Sequence, residues 1–376
     1  MTPEPLQKQL EEVLAGPPRD PEPFGSGPVV IYGAGGRGRE MLAAMRESGH
    51  TVAACIDRQA TGEIDGVPIL APGDARVRAL ASDGCPVVVA VFNPAADPLP
   101  IWETLRADGF RRIVGTLEAR QLMLAGDVYW LSSTAAMTPS VQDAAWLFDK
   151  LADEPSRQAL IDAIALRRTW NPALLRDPAP SEQYLPSGIP MPRKRVRFLD
   201  GGAFDGDTLL QLVEQGIEFE AIAAFEPDLR NYAALRCRIA SLELRKDVTV
   251  WPCGLDSTAR QVLFQAQGLA SSGISATGDV VIQTVAIDEA LPGFRPTYVK
   301  LDIEGAEASA LRGMTRAIAA ARPALAVCVY HKPADLWELP RLVDHLLPDA
   351  KFFLRAHAYN GFDVVLYAVP QEMGDG

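Results

Sequence analysis

Twice along the chain, short continuous apolar runs alternate with stretches in which apolar residues recur every three or four positions. In the first region PVVIYGAG reads as a buried strand entering a glycine turn, and Arg37 to Ser48 carries Met41, Leu42 and Met45 at helical spacing until Gly49 stops it. TVAACID and CPVVVAVFN (85 to 93) read as further buried strands. Strand, helix, strand with short connections is the mark of a parallel α/β unit. Residues 28–130 are therefore predicted to form a small Rossmann-like domain, led in by an N-terminal helix and a Pro/Gly-rich linker over 1–27.

A helical pattern follows from about 138 to 170, and then a polar, proline-rich stretch, NPALLRDPAPSEQYLPSGIPMPRK. Residues 131–194 are expected to be a helical connector, open to a role as a lid or as the contact of a homodimer. Alternation resumes over 195–376: VRFLD, a helix from about 206, AIAAFEP, a helix through Asn231 to Ala240, VTVWPCG, a strand near 261 to 266, and VVIQTVAID. After these come TYVKLD, an alanine-rich helix over 305 to 320, PALAVCVY, a helix near 335 to 346, and the pair KFFLRAH and DVVLYAV. Only a short polar loop joins the last two, so they predict an antiparallel hairpin ending an otherwise parallel sheet.

Composition narrows the function classes. At 376 residues with 48% hydrophobic content the chain has enough apolar material for more than one core. Its net charge of -12 disfavours a nucleic-acid partner, because that affinity comes from clustered Lys and Arg. The one basic run, Arg193, Lys194, Arg195 and Arg197, reads as a solvated lead into a strand. No basic head with an apolar stretch opens the chain, and runs such as Val87 to Phe92 are too short to span a bilayer. Cys55, Cys85, Cys237, Cys253 and Cys328 are scattered and form no CxxC pair, which suggests neither a disulfide framework nor a zinc site. The expectation is a cytoplasmic protein.

Two glycine loops carry the candidate chemistry. In GAGGRG, Gly33, Gly35 and Gly38 follow a strand and open a helix, Arg37 and Arg39 stand beside them, and Asp57 ends the next strand at 57 - 38 = 19 residues on. Such a loop lets backbone approach a phosphate at a helix N-terminus, and an acid at that distance suits ribose hydroxyls. LDGGAFDGD has the same placement and the opposite charge: Asp200, Asp205 and Asp207 surround Gly201, Gly202 and Gly206, and Glu226 closes the next strand at 226 - 206 = 20 residues on. Two like charges about 4 Å apart at a surface repel by up to about 4 kcal/mol, so a pyrophosphate is a poor guest there. S-adenosylmethionine, a sulfonium with an ammonium and a ribose but no phosphate, is a good one. Favourable acids at a helix N-terminus account for Asp207, but not for Asp200 and Glu226 at two strand ends.

In order, LDGGAFDGDT, AFEPDLRNYAAL, TYVKLDIEGAEASALRGM, VYHKPADLWELP and the FLRAH...VVLYAVP hairpin resemble the FkbM-type methyltransferases, S-adenosylmethionine-dependent enzymes of class I. The resemblance implies a Rossmann-like seven-stranded sheet over about 195 to 370, beside the second, smaller Rossmann-like domain. It also implies that Asp200, Gly202, Ala203, Phe204, Asp205 and Gly206 lie at the methionine end of the cofactor, Glu226 and Pro227 at the ribose, and Cys253, Gly254 and Leu255 by the adenine. The common family form has Asn where Phe204 stands. VVIYGAGGRGREMLAAMRESGHTVAACIDRQATGEIDGVPIL is similar to the nucleotide-binding domain heading sugar N-acetyltransferases of the PglD type, which implies a nucleotide or nucleotide-sugar ligand at Gly33, Gly35, Arg37, Gly38 and Asp57.

Methyl transfer to oxygen needs the acceptor aimed at the sulfonium methyl and a proton taken from it. His331, at the C-terminal end of a parallel strand, is the first candidate base and Asp302 the second. Lys300 shares the face of Asp302 by strand alternation, to pair with a carboxylate or orient the acceptor, and Glu304 stands two residues on. Asp302 and Glu304, with Asp288, leave a divalent metal open. Trp130, Trp337 and Tyr359 are candidates to stack on a sugar ring. The reading is O-methylation of a sugar, glycan precursor or related natural product. Its rivals are an NAD-dependent sugar-nucleotide oxidoreductase, for which no Tyr-x-x-x-Lys pair is present, and a non-catalytic nucleotide-sugar-binding scaffold with a methyltransferase fold.

Overall fold

The computed structural model describes residues 3–123, 129–176, 178, 182–242, 247–265, 273–274, 278 and 280–373. The short Val, Ile and Ala runs of the first region become β1 (Val29–Tyr32), β2 (Val52–Ile56), β3 (Gly62–Ile64), β4 (Val67–Leu70), β5 (Val87–Val89) and β6 (Ile113–Val114). They form a six-stranded sheet in the order β3-β4-β2-β1-β5-β6, parallel except for β3 against β4. Every residue of β1 and β5 is buried, as strands covered on both faces must be.

The second region supplies β7 (Val196–Gly201), β8 (Phe219–Phe225) and β9 (Asp247–Trp251), then β10 (Gly254–Leu255), β11 (Arg260–Gln265), β12 (Gly273–Ile274) and β13 (Val280–Val285), and finally β14 (Tyr298–Leu301), β15 (Ala324–Cys328), β16 (Lys351–Ala356) and β17 (Val364–Val369). One seven-stranded sheet runs β16-β17-β15-β14-β7-β8-β9. Within it β17 alone is antiparallel to its neighbours, so the predicted terminal hairpin is present.

The first sheet has β3, β4 and β6 beyond the three strands expected there, and in the second region two elements differ from the sequence expectation. β10, β13, β11 and β12 leave the main sheet and make a small one of four strands. The reason is exposure: β11 and β13 alternate toward solvent, and such strands do not fit inside a sheet covered on both faces. The alanine-rich helix is in two parts, Glu307–Arg312 and Thr315–Ala321. Between them the backbone of Asp256 comes so close to Gly313 that a Cβ would sit 2.0 Å from its carbonyl oxygen.

The stretch expected as a connector is a layer on the large sheet. Its helices Val141–Lys150 and Glu154–Thr169 start at Ser140 and Asp153, whose side chains accept the N–H groups of Asp143 and Ser156. Leu147, Phe148, Leu160, Ile161 and Ile164 share a core with residues of β14 to β17, and Leu6 and Leu10 of helix Pro3–Ala15 join it. The two sheets are also pinned together near the hairpin. Trp130 Nε1 donates to Gly361 O at 2.7 Å, and Tyr359 N donates to Pro94 O at 2.8 Å.

Register places one charged pair at the centre of the large sheet. Lys300 of β14 lies opposite Asp200 of β7, with Nζ 3.1 Å from Asp200 Oδ1 and 2.5 Å from Gly202 O. Both side chains are buried, and the Tyr184 ring covers the ammonium at 5.4 Å. Burial works against the charge on Lys300, but Asp200, Asp302 and Asp207 around it raise its pKa instead. Removing one partner leaves the other buried and uncompensated, at a cost of about 3–5 kcal/mol. Lys300→Met is therefore expected to lower the unfolding free energy by about that amount in urea titrations read by tryptophan fluorescence, and Asp200→Asn added to it is expected to restore most of the loss. A double variant as unstable as the two single losses added together would contradict this.

Candidate active site

A cavity of about 340 Å3 opens at the C-terminal ends of β7, β8 and β14, the edge where open α/β sheets place their ligands. Its floor is the acidic glycine loop. Gly202, at φ +77°, packs so tightly on the end of β14 that a Cβ would lie 1.8 Å from Asp302 O. The N–H groups of Gly202 and Ala203 both donate to Phe225 O at 3.0 Å, which ties the loop to β8. Phe204 has φ +46°, in the left-handed region where Asn is at ease and Phe is not. Its contact with the site is through backbone: Phe204 N donates to Glu226 Oε2 at 2.9 Å.

Glu226 follows the end of β8 and lines the cavity. Oε1 accepts from Asp228 N at 2.9 Å, so each carboxylate oxygen holds one backbone donor and keeps a lone pair for a ligand on the cavity wall. Burial pushes its pKa up to about 7, and the two N–H donors pull the other way. Gly202, Phe204, Pro227, Cys253, Gly254 and Leu255 line the same cavity. Asp200, Ala203, Asp205 and Gly206 stand behind it: Asp200 faces Lys300, Ala203 is buried, Asp205 pairs with Arg238 at 2.5 Å, and Gly206 starts helix Asp207–Glu214 with φ +88°.

The opposite end is acidic, with Asp302, Glu304 and Asp363 on the wall. Tyr184 OH donates to Asp302 Oδ2 at 2.8 Å and Tyr330 OH to Oδ1 at 3.4 Å. Burial works against ionisation of Asp302, but His331, Lys300 and Tyr184 hold its carboxyl well below the usual range. Glu304, at φ +53°, is pushed up to about 8 by burial, an effect that Asp302 and Glu307 reinforce and His331 opposes. His331 is fully buried behind these acids and is not on the wall. It is a positioning residue that reaches the cavity through Asp302, because its ring is clamped from the other side by Glu307. Asp288 is elsewhere, its oxygens accepting Arg316 N and Ala317 N at a helix start.

Tyr184 was missed in the sequence. It sits in the proline-rich stretch, where no periodicity marks it, and it is held by three contacts: its OH on Asp302, its N–H on Tyr367 OH at 3.1 Å, and Tyr298 OH on its carbonyl. Phe92, Tyr129 and Phe362 complete an aromatic wall. Of the expected sugar-stacking residues, Trp130 is wholly buried, Trp337 packs on the core and Tyr359 lines a different, smaller cavity.

The basic loop is formed as its spacing requires. Gly33 has φ +110°, and Gly38 lies so close to it that a Cβ would be 2.0 Å from Gly33 O, while Gly35 is open to its surroundings. Asp57 binds this loop itself, accepting Ala34 N, Gln59 N and Ala60 N at 2.8 to 2.9 Å. Arg37 pairs with Glu40 at 2.8 Å on the surface. A Cβ on Gly33 would touch Val91 at 3.1 Å, and the next residue, Phe92, is part of the wall of the main cavity.

Comparison with known proteins agrees with this division. The methyltransferase FkbM domain family matches residues 200–360, and the PglD N-terminal domain family matches residues 28–96. The hexuronic acid methyltransferase AglP of Haloferax volcanii is 30% identical over 138 residues, 35% of this chain and 54% of that protein, so the match spans about half the relative's length. The crystal structure of methyltransferase FkbM from Methylobacillus flagellatus KT superimposes with a TM-score of 0.74 at 25% identity, covering 96% of this chain and 93% of that one. Both expected sheets, the class I methyltransferase sheet and the smaller Rossmann-like one, are present. The chain thus carries a methyltransferase FkbM domain in its C-terminal half and a PglD N-terminal domain before it.

Proposed function

We propose that the protein transfers a methyl group from S-adenosylmethionine to a hydroxyl of a sugar, and that this sugar is presented on a nucleotide held by the N-terminal domain. The observation that carries the cofactor reading is Glu226: each of its carboxylate oxygens holds one backbone donor and keeps acceptor capacity, at a cavity walled also by Asp207 and Asp302, a setting that suits a ribose and a sulfonium better than a phosphate. The acceptor reading rests on the sugar methyltransferase likeness and on Phe92, which follows β5 of the smaller sheet and lines the main cavity. Free cysteines at Cys55, Cys85, Cys237, Cys253 and Cys328 suit a reducing compartment, the cytoplasm.

In this reading the acceptor oxygen lies in line with the sulfonium methyl at about 3 Å. An oxygen lone pair forms the new C–O bond as the C–S bond breaks, and S-adenosylhomocysteine leaves. The acceptor proton passes to Asp302. An alkylated oxygen that still carries its proton is a far stronger acid than a carboxylic acid, so even the depressed pKa of Asp302 suffices. Tyr184, Tyr330 and His331 keep that carboxylate aimed at the cavity.

Isothermal titration tests the cofactor claim. The protein is expected to bind S-adenosylmethionine, and Glu226→Ala is expected to weaken that binding at least about 30-fold, the value of two lost hydrogen bonds to a carboxylate. Binding of NAD alone would contradict the proposal. The same carboxylate sets a pH dependence. Below about 7 Glu226 takes up a proton and loses its paired acceptor character, so the association constant falls about tenfold per pH unit below that point and is level above pH 8. Glu226→Gln is expected to bind weakly with no such slope, and an unchanged slope in that variant would assign the titration to another group.

A further inference from the structure

The acidic end of the cavity crowds three carboxyl groups around one imidazole. Asp302, Glu304 and Glu307 converge on one imidazole, that of His331, while the ammonium of Lys300 is already joined to Asp200 and that of Lys332 to the carbonyl of Gly305. Nδ1 of His331 lies 2.8 Å from Glu307 Oε1, an oxygen that also accepts Ile303 N at 2.9 Å and Gly305 N at 3.4 Å. Glu307 accepts a hydrogen bond from Nδ1–H and so leaves Nε2 as the nitrogen able to bind a cation, which would take the place of any proton there. Nε2 is buried and makes no hydrogen bond, yet it is aimed between Asp302 Oδ1 at 3.3 Å and Glu304 Oε2 at 3.7 Å. A buried ring nitrogen with no hydrogen-bond partner, facing two carboxylates, calls for a ligand.

We propose that Asp302, Glu304 and His331 bind a divalent cation of the size of Mn2+ or Mg2+, with Glu307 as the outer carboxylate that orients the imidazole. The three ligand atoms lie within 4.8 Å of one another. Three ligands on one face of an octahedron, with bonds of about 2.1 Å, stand about 3.0 Å apart, so side-chain movements under about 1 Å close the site. Ca2+ fits less well, because it prefers six to eight oxygen ligands at longer distance. Asp302 and Glu304 are on the cavity wall, so the remaining coordination positions face the space in which an acceptor hydroxyl would bind. There the cation would neutralise the clustered carboxylates and polarise the acceptor oxygen.

The test is a Mn2+ titration of the EDTA-treated, desalted full chain, read as loss of the six-line paramagnetic resonance signal of the free ion. Neither cofactor nor acceptor is present, so its result is independent of the methyl-transfer reading. One Mn2+ per chain is expected, displaced by excess Mg2+, with at least a tenfold loss of affinity in Glu304→Gln and in Asp302→Asn. Since substitution of the buried His331 risks the fold, the two wall variants decide the matter, each checked for native circular dichroism. A free-ion signal throughout the wild-type titration would overturn the proposal. So would undiminished binding in a folded Glu304→Gln, which would place the ion elsewhere.

Discussion

One buried cation organises the C-terminal half. Lys300 enters the sheet on β14 directly opposite Asp200 on β7, and its ammonium also holds the carbonyl of Gly202, the first residue of the loop beyond β7. That contact fixes the loop against the end of β14, where Gly202 has no room for a side chain. From there the rest of the site follows. The loop carries Phe204 to Glu226, the strand carries Asp302 to Tyr184 and His331, and both carboxylates flank a single cavity. A lysine in this position also lowers the cost of gathering so many acids, since it attracts Asp200, Asp302 and Glu226 at once.

The two glycine loops show how the same backbone device is given different surroundings by its neighbours. Both follow a strand and open a helix, and both use glycines where backbone passes close to backbone. Beside the first stands Arg37, and its acid, Asp57, is occupied in holding the loop closed. Beside the second stand acids, and its Glu226 keeps acceptor capacity toward the cavity. Phe92, which follows β5 of the smaller sheet, lines the main cavity, so the first domain contributes to its wall.

Strands, helices and the terminal hairpin were legible wherever burial imposed a regular pattern. Helix Asp335–Leu346 was legible even with Pro340 inside it, because its apolar stripe is strong. What escaped depends on contacts between distant segments. The departure of β11 and β13 into a second sheet is decided by which faces find cover, and the split at Gly313 by the approach of Asp256. That the acidic loop and Glu226 stand together at one cavity was legible from charge and spacing, but charge alone did not tell which acids face inward. Asp205 turns to Arg238, and His331 lies behind Asp302 because Glu307, the first residue of the following helix, holds its other nitrogen. Tyr184 comes from a stretch without periodicity, and only the folded chain brings it over Lys300 and Asp302.

The central claim is that the acidic loop, and not the basic one, receives S-adenosylmethionine. Hydrogen–deuterium exchange with and without that ligand tests it most directly. The account predicts slowed exchange in the segments around 199–207 and 226–232, where backbone N–H groups of Phe204 and Asp228 support Glu226, with the segment around 33–38 unchanged. Protection confined to 33–38 would contradict it.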